Sequence, residues 1–272
     1  MTAPFSLARL RLRQGYGIAR SLLIYWRPGR QRSMRRLYAD FVGPGDLTFD
    51  VGAHLGDRTA AFQALGARVI ALEPQPGLYR CLVRLVGTRP GVTLLPWAVG
   101  ATPGEAELAV SEANPTVSTL AHEWRATIGG RNAGFKDVRW ESRRRVTVTT
   151  LDALIAEHGT PRFCKIDVEG FEAEVLAGLS TPLEGVSVEF MAGALEVSRQ
   201  CVTRLAELGD YRFNAIEGER RTFRWPAWRT ADATLEWLDR GADGLASGDL
   251  YARLSPRNSM PPHDPSTPEP TP

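Results

Sequence analysis

The sequence predicts an α/β fold built on a mostly parallel sheet that carries helices on both faces. Through most of the chain, short apolar runs alternate with amphipathic stretches, as is typical of parallel strands joined by covering helices. The 272 residues, 43% of them hydrophobic, are enough to bury one large core. The last two apolar runs are expected to close the sheet as an antiparallel edge.

Seven strands are predicted, each a short apolar run bounded by turn residues. They are residues 47–51, 68–72, 92–95, 163–167, 186–190, 211–215 and 250–254. Helices are predicted at residues 59–65, 76–86, 151–158, 171–179 and 199–208. Glycines and Pro115 interrupt residues 101–149, so an inserted hairpin and flexible loop are expected there, within a domain of residues 45–254.

Both ends of the chain differ in composition from this domain. Residues 1–44 are predicted to form a basic helical extension, with nine arginines but one acid, Asp40, among the first 40 positions. This extension is either a cap with a solvated arginine face or an amphipathic segment that makes weak peripheral contact with anionic lipid. Residues 255–272 hold seven prolines and are predicted to be disordered.

The charge balance limits the partners that are expected, and the cysteines limit the compartment. A net charge of +2 argues against wholesale binding of a polyanion, and no nucleic-acid partner is expected. The three cysteines stand singly in apolar stretches, which favours free thiols in a reducing compartment. No apolar run has the length of a membrane span, and a cytoplasmic location is predicted.

The first chemical signal is a glycine turn between the first predicted strand and its helix. Gly52 and Gly56 let the backbone bend sharply and approach a ligand closely. Glu73 ends the next predicted strand, 17 positions after Gly56, where a carboxylate can accept hydrogen bonds from both hydroxyls of a ribose. Together these residues predict a site for an adenosine-containing cofactor.

The glycine spacing separates two classes of cofactor. A dinucleotide site uses Gly-x-Gly-x-x-Gly to seat a pyrophosphate on a helix N-terminus, whereas this chain has Gly52-x-x-x-Gly56 preceded by Asp50. S-adenosylmethionine has no pyrophosphate, and Asp50 can either anchor the turn or receive the ammonium group of that cofactor. The pattern therefore favours a methyl donor over a dinucleotide, and a turn without any ligand is the alternative.

A second charged cluster follows the fourth predicted strand. Lys165, Asp167 and Glu169 fall at its carboxyl end, where open α/β sheets bind ligands, and Gly170 gives the backbone room. Acids near a helix N-terminus otherwise serve as caps. Two acids with a lysine at this edge of the sheet favour a functional site.

These motifs resemble the FkbM family of S-adenosylmethionine-dependent methyltransferases. The similarity spans about residues 45–215, through residues 49–56, 72–74 and 150–152 and above all the run Lys-Ile-Asp-Val-Glu-Gly-x-Glu at residues 165–172. It implies a Rossmann-like class I methyltransferase fold and O-methylation of a hydroxyl on a sugar, glycolipid or secondary metabolite. Where asparagine is common in the family, this chain has His54. The residues expected to bind S-adenosylmethionine are Asp50, Gly52, Ala53, His54, Gly56, Glu73, Pro74, Ala98, Ser118 and Asp167.

A hydroxyl acceptor must also lose its proton. The candidate bases are Asp167, Glu169 and His54, with His122 of the inserted segment as a further candidate that is equally a surface residue. A divalent cation is the alternative means of activation, and its candidate ligands are Asp167 and Glu189.

Two other interpretations of the function stay open. The arginine-rich N-terminus suggests a nucleic-acid methyltransferase, but Asp-Val-Glu-Gly follows the fourth strand, not the Asn/Asp-Pro-Pro-aromatic element usual for amino methylation of bases. A catalytically silent S-adenosylmethionine-binding protein is the second. The expected acceptor is a hydroxyl of a small molecule or glycan, and no oligomeric state is predicted.

Overall fold

The chain folds around one seven-stranded sheet. The computed structural model describes the backbone of residues 7–256 and the side chains of residues 15–256, so most of the predicted disordered tail, from residue 257 onward, lies outside the described residues. The strands are β1 (Leu47–Val51), β2 (Arg68–Leu72), β3 (Val92–Leu95), β4 (Trp97–Val99), β5 (Gly104–Val110), β6 (Ser142–Thr149), β7 (Phe163–Ile166), β8 (Gly185–Met191), β9 (Tyr211–Glu217) and β10 (Ser247–Leu254). The helices are α1 (Leu7–Tyr25), α2 (Arg30–Tyr38), α3 (Asp57–Ala64), α4 (Pro76–Val86), α5 (His122–Arg131), α6 (Leu151–His158), α7 (Glu172–Ala177), α8 (Leu195–Leu208) and α9 (Ala231–Asp239).

The main sheet has the strand order β3-β2-β1-β7-β8-β10-β9. The first five strands in this order run parallel, and β10 pairs antiparallel with both β8 and β9. This arrangement confirms the predicted Rossmann-like α/β fold of seven strands with an antiparallel edge. Because the carboxyl ends of parallel strands meet at one edge, the residues that follow β1, β2 and β7 lie close together there.

Helices cover both faces of the main sheet. On one face, α2, α3 and α4 bury apolar side chains that include Tyr38 and Phe62. On the other face, α6, α7, α8 and α9 bury a second apolar cluster that includes Trp237. Successive strand residues point to opposite faces, so Phe163 belongs to the first cluster and Cys164 to the second.

The inserted segment is more regular than predicted. Its strands β5 and β6 form a second sheet with β4, in the order β4-β6-β5, and the antiparallel pairing of β5 with β6 matches the expected hairpin. The expectation of a flexible loop is wrong for residues 122–131, which form α5. Trp124 of α5 is buried against Gly170, where a Cβ would overlap the indole ring. This packing outweighs the weak helix propensity of Gly129 and Gly130.

The N-terminal helices pack on the rest of the molecule. Met34 and Tyr38 of α2 are buried in the core, and the indole nitrogen of Trp26 donates a hydrogen bond of 3.2 Å to the carbonyl oxygen of Leu55. The predicted helical extension is therefore partly core, since α2 covers one face of the sheet. A bilayer-spanning helix is absent from the described part of the chain.

Candidate active site

A cleft opens at the carboxyl ends of β1, β2, β7 and β8. Its empty volume, counted out to the open mouth, is about 1180 Å³. The residues predicted as catalytic or as cation ligands, Asp167, Glu169, His54 and Glu189, all line it. Of the residues predicted to bind the cofactor, those that line the cleft are Gly52, Ala53, His54, Glu73, Pro74, Ala98, Ser118 and Asp167.

The bend after β1 depends on Gly52. Its φ angle is 78°, in the left-handed region that favours glycine, and a Cβ there would overlap the carbonyl oxygen of Asp167. The amide nitrogens of Gly52 and Ala53 donate to the carbonyl oxygen of Leu72 at 3.0 and 2.9 Å. The bend thus ties β1 to the end of β2 and to the segment after β7.

Glu73 is fixed by the backbone of two neighbouring turns. Its Oε2 accepts from the amide of His54 at 2.9 Å, and its Oε1 accepts from the amide of Gln75 at 2.8 Å. Burial raises the pKa of Glu73 to about 8, although these two hydrogen bonds act to lower it. Each carboxyl oxygen keeps a second lone pair, so Glu73 can also accept hydrogen bonds from a ligand in the cleft.

Asp50 and Gly56 lie outside the cleft wall. Asp50 is 1% exposed and its Oδ2 accepts from the hydroxyl of Thr59 at 2.5 Å, which joins β1 to α3. Gly56 precedes α3 in a left-handed conformation and packs against side chains of α4. Of the two roles considered for Asp50, the structure fits that of an anchor for the turn.

Asp167 belongs to a buried ion-pair network. The ammonium group of Lys165, which is fully buried, lies 3.1 Å from Oδ2 of Asp167 and 3.2 Å from Oδ1 of Asp249. Burial acts to raise the pKa of Asp167, but the positive charges of Lys165 and Arg58 outweigh burial and hold it below its ordinary value. Asp167 therefore faces the cleft as a carboxylate.

Glu169 and Glu189 form an acidic cluster with Asp167. One carboxylate oxygen from each residue lies within 4.8 Å of the others. Burial and the neighbouring carboxylates raise the pKa of both Glu169 and Glu189 well above the ordinary value. Oε2 of Glu169 is buried without a hydrogen-bond partner among the described residues. The cluster thus combines one ionised carboxylate with two that retain protons to higher pH.

The two histidine candidates lie in different surroundings. His54 lines the cleft with its ring centre 5.1 Å from that of Tyr25, in an edge-to-face arrangement, and burial lowers its pKa to about 4. His54 is therefore a neutral imidazole near pH 7. His122 lies exposed at the start of α5 and does not line the cleft.

Sequence similarity decides the family. Residues 50–240, more than half of the chain, match the sequence model of the methyltransferase FkbM domain. The chain belongs to the FkbM methyltransferase family. This confirms the resemblance seen in the motifs, and the matched region contains the glycine turn, Glu73 and the acidic cluster.

Known proteins similar to this FkbM methyltransferase include a sugar-modifying enzyme. Hexuronic acid methyltransferase AglP of Haloferax volcanii is 27% identical over 180 residues, which are 64% of this chain and 67% of that protein. A TehB-like SAM-dependent methyltransferase from Corynebacterium glutamicum has a TM-score of 0.47 at 11% identity, covering 91% of this chain and 99% of its own. Precorrin-6y C5,15-methyltransferase from Geobacter metallireducens has a TM-score of 0.41 at 12% identity, covering 83% and 87%.

The cleft of this FkbM methyltransferase also contains residues that the sequence motifs did not reveal. Gln75 stands two positions after Glu73 and could have been found from that spacing. Arg58 follows the glycine turn by two positions, and Trp97 directly precedes Ala98. Tyr25, Glu219 and Asp249 come from segments far from the motifs, and only the folded topology brings them to the cleft.

Proposed function

We propose that this protein is an S-adenosylmethionine-dependent O-methyltransferase that acts on a hydroxyl of a sugar or another small polyhydroxylated molecule. The observation that carries the proposal is that the Gly52 bend, the Glu73 carboxyl and the acidic cluster line one cleft in an FkbM methyltransferase. AglP, whose name describes methylation of a hexuronic acid, supports a sugar as the acceptor.

The donor half of the cleft is the region around Gly52, Glu73 and Gln75. We assign the ribose hydroxyls of the donor to the free lone pairs of Glu73. Gln75 is 1% exposed and lines the cleft, and neither its amide nitrogen nor its amide oxygen has a hydrogen-bond partner among the described residues. A buried amide without partners is costly, so a bound nucleoside that bonds to it would be favoured. When bound, S-adenosylmethionine supplies a methyl group on an activated sulfonium.

The acceptor half of the cleft is the region around Glu169 and Glu189, together with Tyr25, Glu219 and Asp249. The protein's task is to align the acceptor oxygen with the methyl carbon and to remove the hydroxyl proton. We assign Glu169 as the base, because its Oε2 is free and its raised pKa makes its carboxylate a stronger base. The proton passes from the hydroxyl to Oε2 and then to solvent. Asp167 and His54 are weaker bases, since the pKa of Asp167 is lowered and that of His54 is about 4.

Activation without a metal ion is the form of the mechanism that we propose. The acidic cluster has the oxygen ligands that a divalent cation prefers. However, Lys165 and Arg58 already place positive charge beside Asp167, with nitrogen atoms 3.1 and 3.9 Å from its Oδ2. Charge compensation of Asp167 therefore does not require an ion.

A two-step experiment tests the proposed function. Isothermal titration with S-adenosylmethionine and S-adenosylhomocysteine measures donor binding, and we expect both to bind. Incubation of the protein with methyl-labelled donor and a small-molecule extract of the source organism should then place the label on a sugar or polyol oxygen. Absence of binding to both nucleosides, or transfer to RNA or DNA in place of small molecules, would contradict the proposal.

Weak contact with anionic membranes is a separate proposal for α1. Tyr16 and Leu23 of this helix are 71% and 75% exposed, and Arg20 and Arg27 lie within or just beyond it. Exposed apolar side chains beside arginines favour an anionic lipid surface. We expect the protein to sediment with anionic vesicles and not with neutral ones. No sedimentation with either kind, or equal sedimentation with both kinds, would refute this proposal.

A further inference from the structure

We infer that Glu172 and Thr119 are positioning residues for the reaction. Their side chains hold the turn at residues 168–170, and this turn holds the carboxyl group of Glu169 in the cleft. The inference rests on the proposed function, in which Glu169 is the base. It gives a role to the last residue of the motif at residues 165–172, and to the inserted segment that carries Thr119.

The backbone of Glu169 is strained. Its φ angle is 55°, in the left-handed region that few residues other than glycine adopt, and Gly170 follows with a φ angle of 87°. Such a conformation persists only where the surrounding structure enforces it. Oε2 of Glu169 is buried and has no hydrogen-bond partner among the described residues. The backbone of the turn, and not a bond from a neighbouring side chain, therefore places this oxygen.

The side chain of Glu172 bonds to the backbone of the turn. Its Oε1 accepts from the amide of Val168 at 3.0 Å and from the amide of Gly170 at 3.3 Å. Glu172 is the first residue of α7, yet both bonds reach back to amides that precede this helix. A helix cap would instead accept from amides within the first turn of α7. Glu172 is 2% exposed, so little water reaches these bonds to compete with them.

The hydroxyl group of Thr119 bonds to the turn from the inserted segment. Its Oγ1 donates to the carbonyl oxygen of Glu169 at 2.7 Å and accepts from the amide of Ala121 at 2.9 Å. The backbone of Thr119 is paired with Ala109 of β5 through two hydrogen bonds of 3.0 Å. The peptide group between Glu169 and Gly170 thus has its carbonyl oxygen held by Thr119 and its amide held by Glu172.

Loss of these bonds should release the strain at Glu169. Without the Glu172 carboxyl group, two amides of a part-buried turn lose their acceptor, and the backbone can relax to a negative φ angle. The Glu169 carboxyl group would then move from its place beside Asp167 and Glu189. Asp167 keeps its backbone bond to Val51, so the donor half of the cleft should be little affected.

Crystal structures of variants test the backbone part of the inference without an acceptor. Glu172→Gln keeps a side-chain oxygen that can accept from both amides, whereas Glu172→Ala keeps none. We expect a positive φ angle at residue 169 in the wild type and in Glu172→Gln, and a negative one in Glu172→Ala. Glu174→Ala removes an exposed acid from the same first turn of α7 and is the matched control. An unchanged turn in Glu172→Ala would overturn the inference.

A second variant covers the case in which Glu172→Ala does not fold. Thr119→Val removes the hydroxyl group with little change of shape, and Thr119→Ser keeps it. The turn should relax in Thr119→Val and stay unchanged in Thr119→Ser. Retention of the left-handed conformation in Thr119→Val would contradict the role of Thr119.

A double-mutant cycle tests whether Glu172 acts through Glu169. The rate of label transfer from S-adenosylmethionine to a small-molecule extract of the source organism is measured, with donor Kd from isothermal titration. Glu172→Ala should lower the rate by about 10- to 100-fold, since a displacement of about 1 Å can cost about 100-fold. In a Glu169→Gln background the same change should lower it by less than about twofold. Donor Kd should stay unchanged, and Glu172→Gln should retain most of the rate.

Failure of the inference and failure of the proposed function give different results. An equal loss of rate in both backgrounds would show a general effect on folding, and would refute positioning of Glu169. A wild-type rate in Glu169→Gln would show that Glu169 is not the base, and would overturn the inference together with that assignment. No label transfer by the wild type despite donor binding would mean that the proposed function has failed. The crystal structures would then still decide whether Glu172 and Thr119 hold the turn.

Discussion

The donor half and the acceptor half of the cleft are built in different ways. The donor half comes from a continuous stretch, in which the amide of Gly52 donates to the carbonyl oxygen of Leu72 and the amide of Gln75 donates to the carboxyl group of Glu73. The acceptor half collects Tyr25, Glu219 and other residues from separate parts of the chain. The comparison teaches that a nucleoside site can be encoded locally, while the chemistry of the acceptor depends on which distant segments the topology brings to the cleft. Substitutions in one half should therefore leave the other half working.

The largest effect is expected in the acceptor half. Glu169→Gln removes the proposed base and should lower kcat by about 10²- to 10⁴-fold, the usual contribution of a general base. The Kd of S-adenosylmethionine should change little, because Glu169 is not among the residues assigned to the donor. Single-turnover methyl transfer and isothermal titration measure the two quantities, and a parallel loss of donor binding would mean that the halves are not separable.

In the donor half, a loss of donor binding and not of kcat is expected. Glu73→Ala removes the acceptor of the amides of His54 and Gln75 together with the proposed ribose contact. It should weaken donor binding by about 10- to 100-fold, since each hydrogen bond contributes about 0.5–1.5 kcal/mol. At saturating donor, kcat should fall far less than in Glu169→Gln. The exposed Glu184→Ala serves as the control. Donor affinity equal to that of the wild type would refute the assignment of Glu73.

The sequence was enough to predict seven mostly parallel strands with an antiparallel edge, and to place Gly52 and Glu73 at one edge of that sheet. Glu73 follows a five-residue apolar strand and Gly52 follows another, so periodicity alone placed both at the same edge of the sheet. The acceptor half was predicted in part, because Asp167, Glu169 and Glu189 also follow or end apolar strands. These residues share a cleft for the same geometric reason.

The residues that were missed depend on tertiary contacts. Asp249 pairs in register with Glu189 only because β10 inserts beside β8, and Tyr25 reaches His54 only because α1 packs over the turn after β1. Helix α9 was also missed, although Thr230 caps it by accepting from the amide of Ala233. The contacts of Asp249 and Tyr25 join positions that are distant in sequence, and no local pattern marks them.

A smaller effect on the pH profile should sharpen the distinction between candidate bases. If Glu169 is the base, kcat rises with pH through its raised pKa, because the proton must leave before the carboxylate can accept another. Lys165 lowers the pKa of Glu169, so Lys165→Met should move this rise to higher pH, while Lys165→Arg should move it less. A rise centred near pH 4 would indicate His54 instead.

The smallest effect is expected from removal of metal ions. Exhaustive chelation should leave kcat within about twofold, because Lys165 and Arg58 compensate the charge of Asp167 without an ion. Steady-state turnover before and after chelation, and after addition of Mg²⁺, gives the comparison. Loss of turnover that Mg²⁺ restores would assign a cation to Asp167, Glu169 and Glu189.

The position of β10 has a consequence for biosynthesis. Of the seven strands of the main sheet this one is synthesised last, yet it is inserted between β8 and β9, and its Asp249 pairs with the ammonium group of Lys165. A nascent chain that stops before Asp249 lacks the strand that joins β9 to the sheet. It also lacks one of the two carboxylates that pair with the buried ammonium group of Lys165. Shortened translation products should therefore be left incompletely folded and exposed to proteolysis, and not persist as donor-binding fragments.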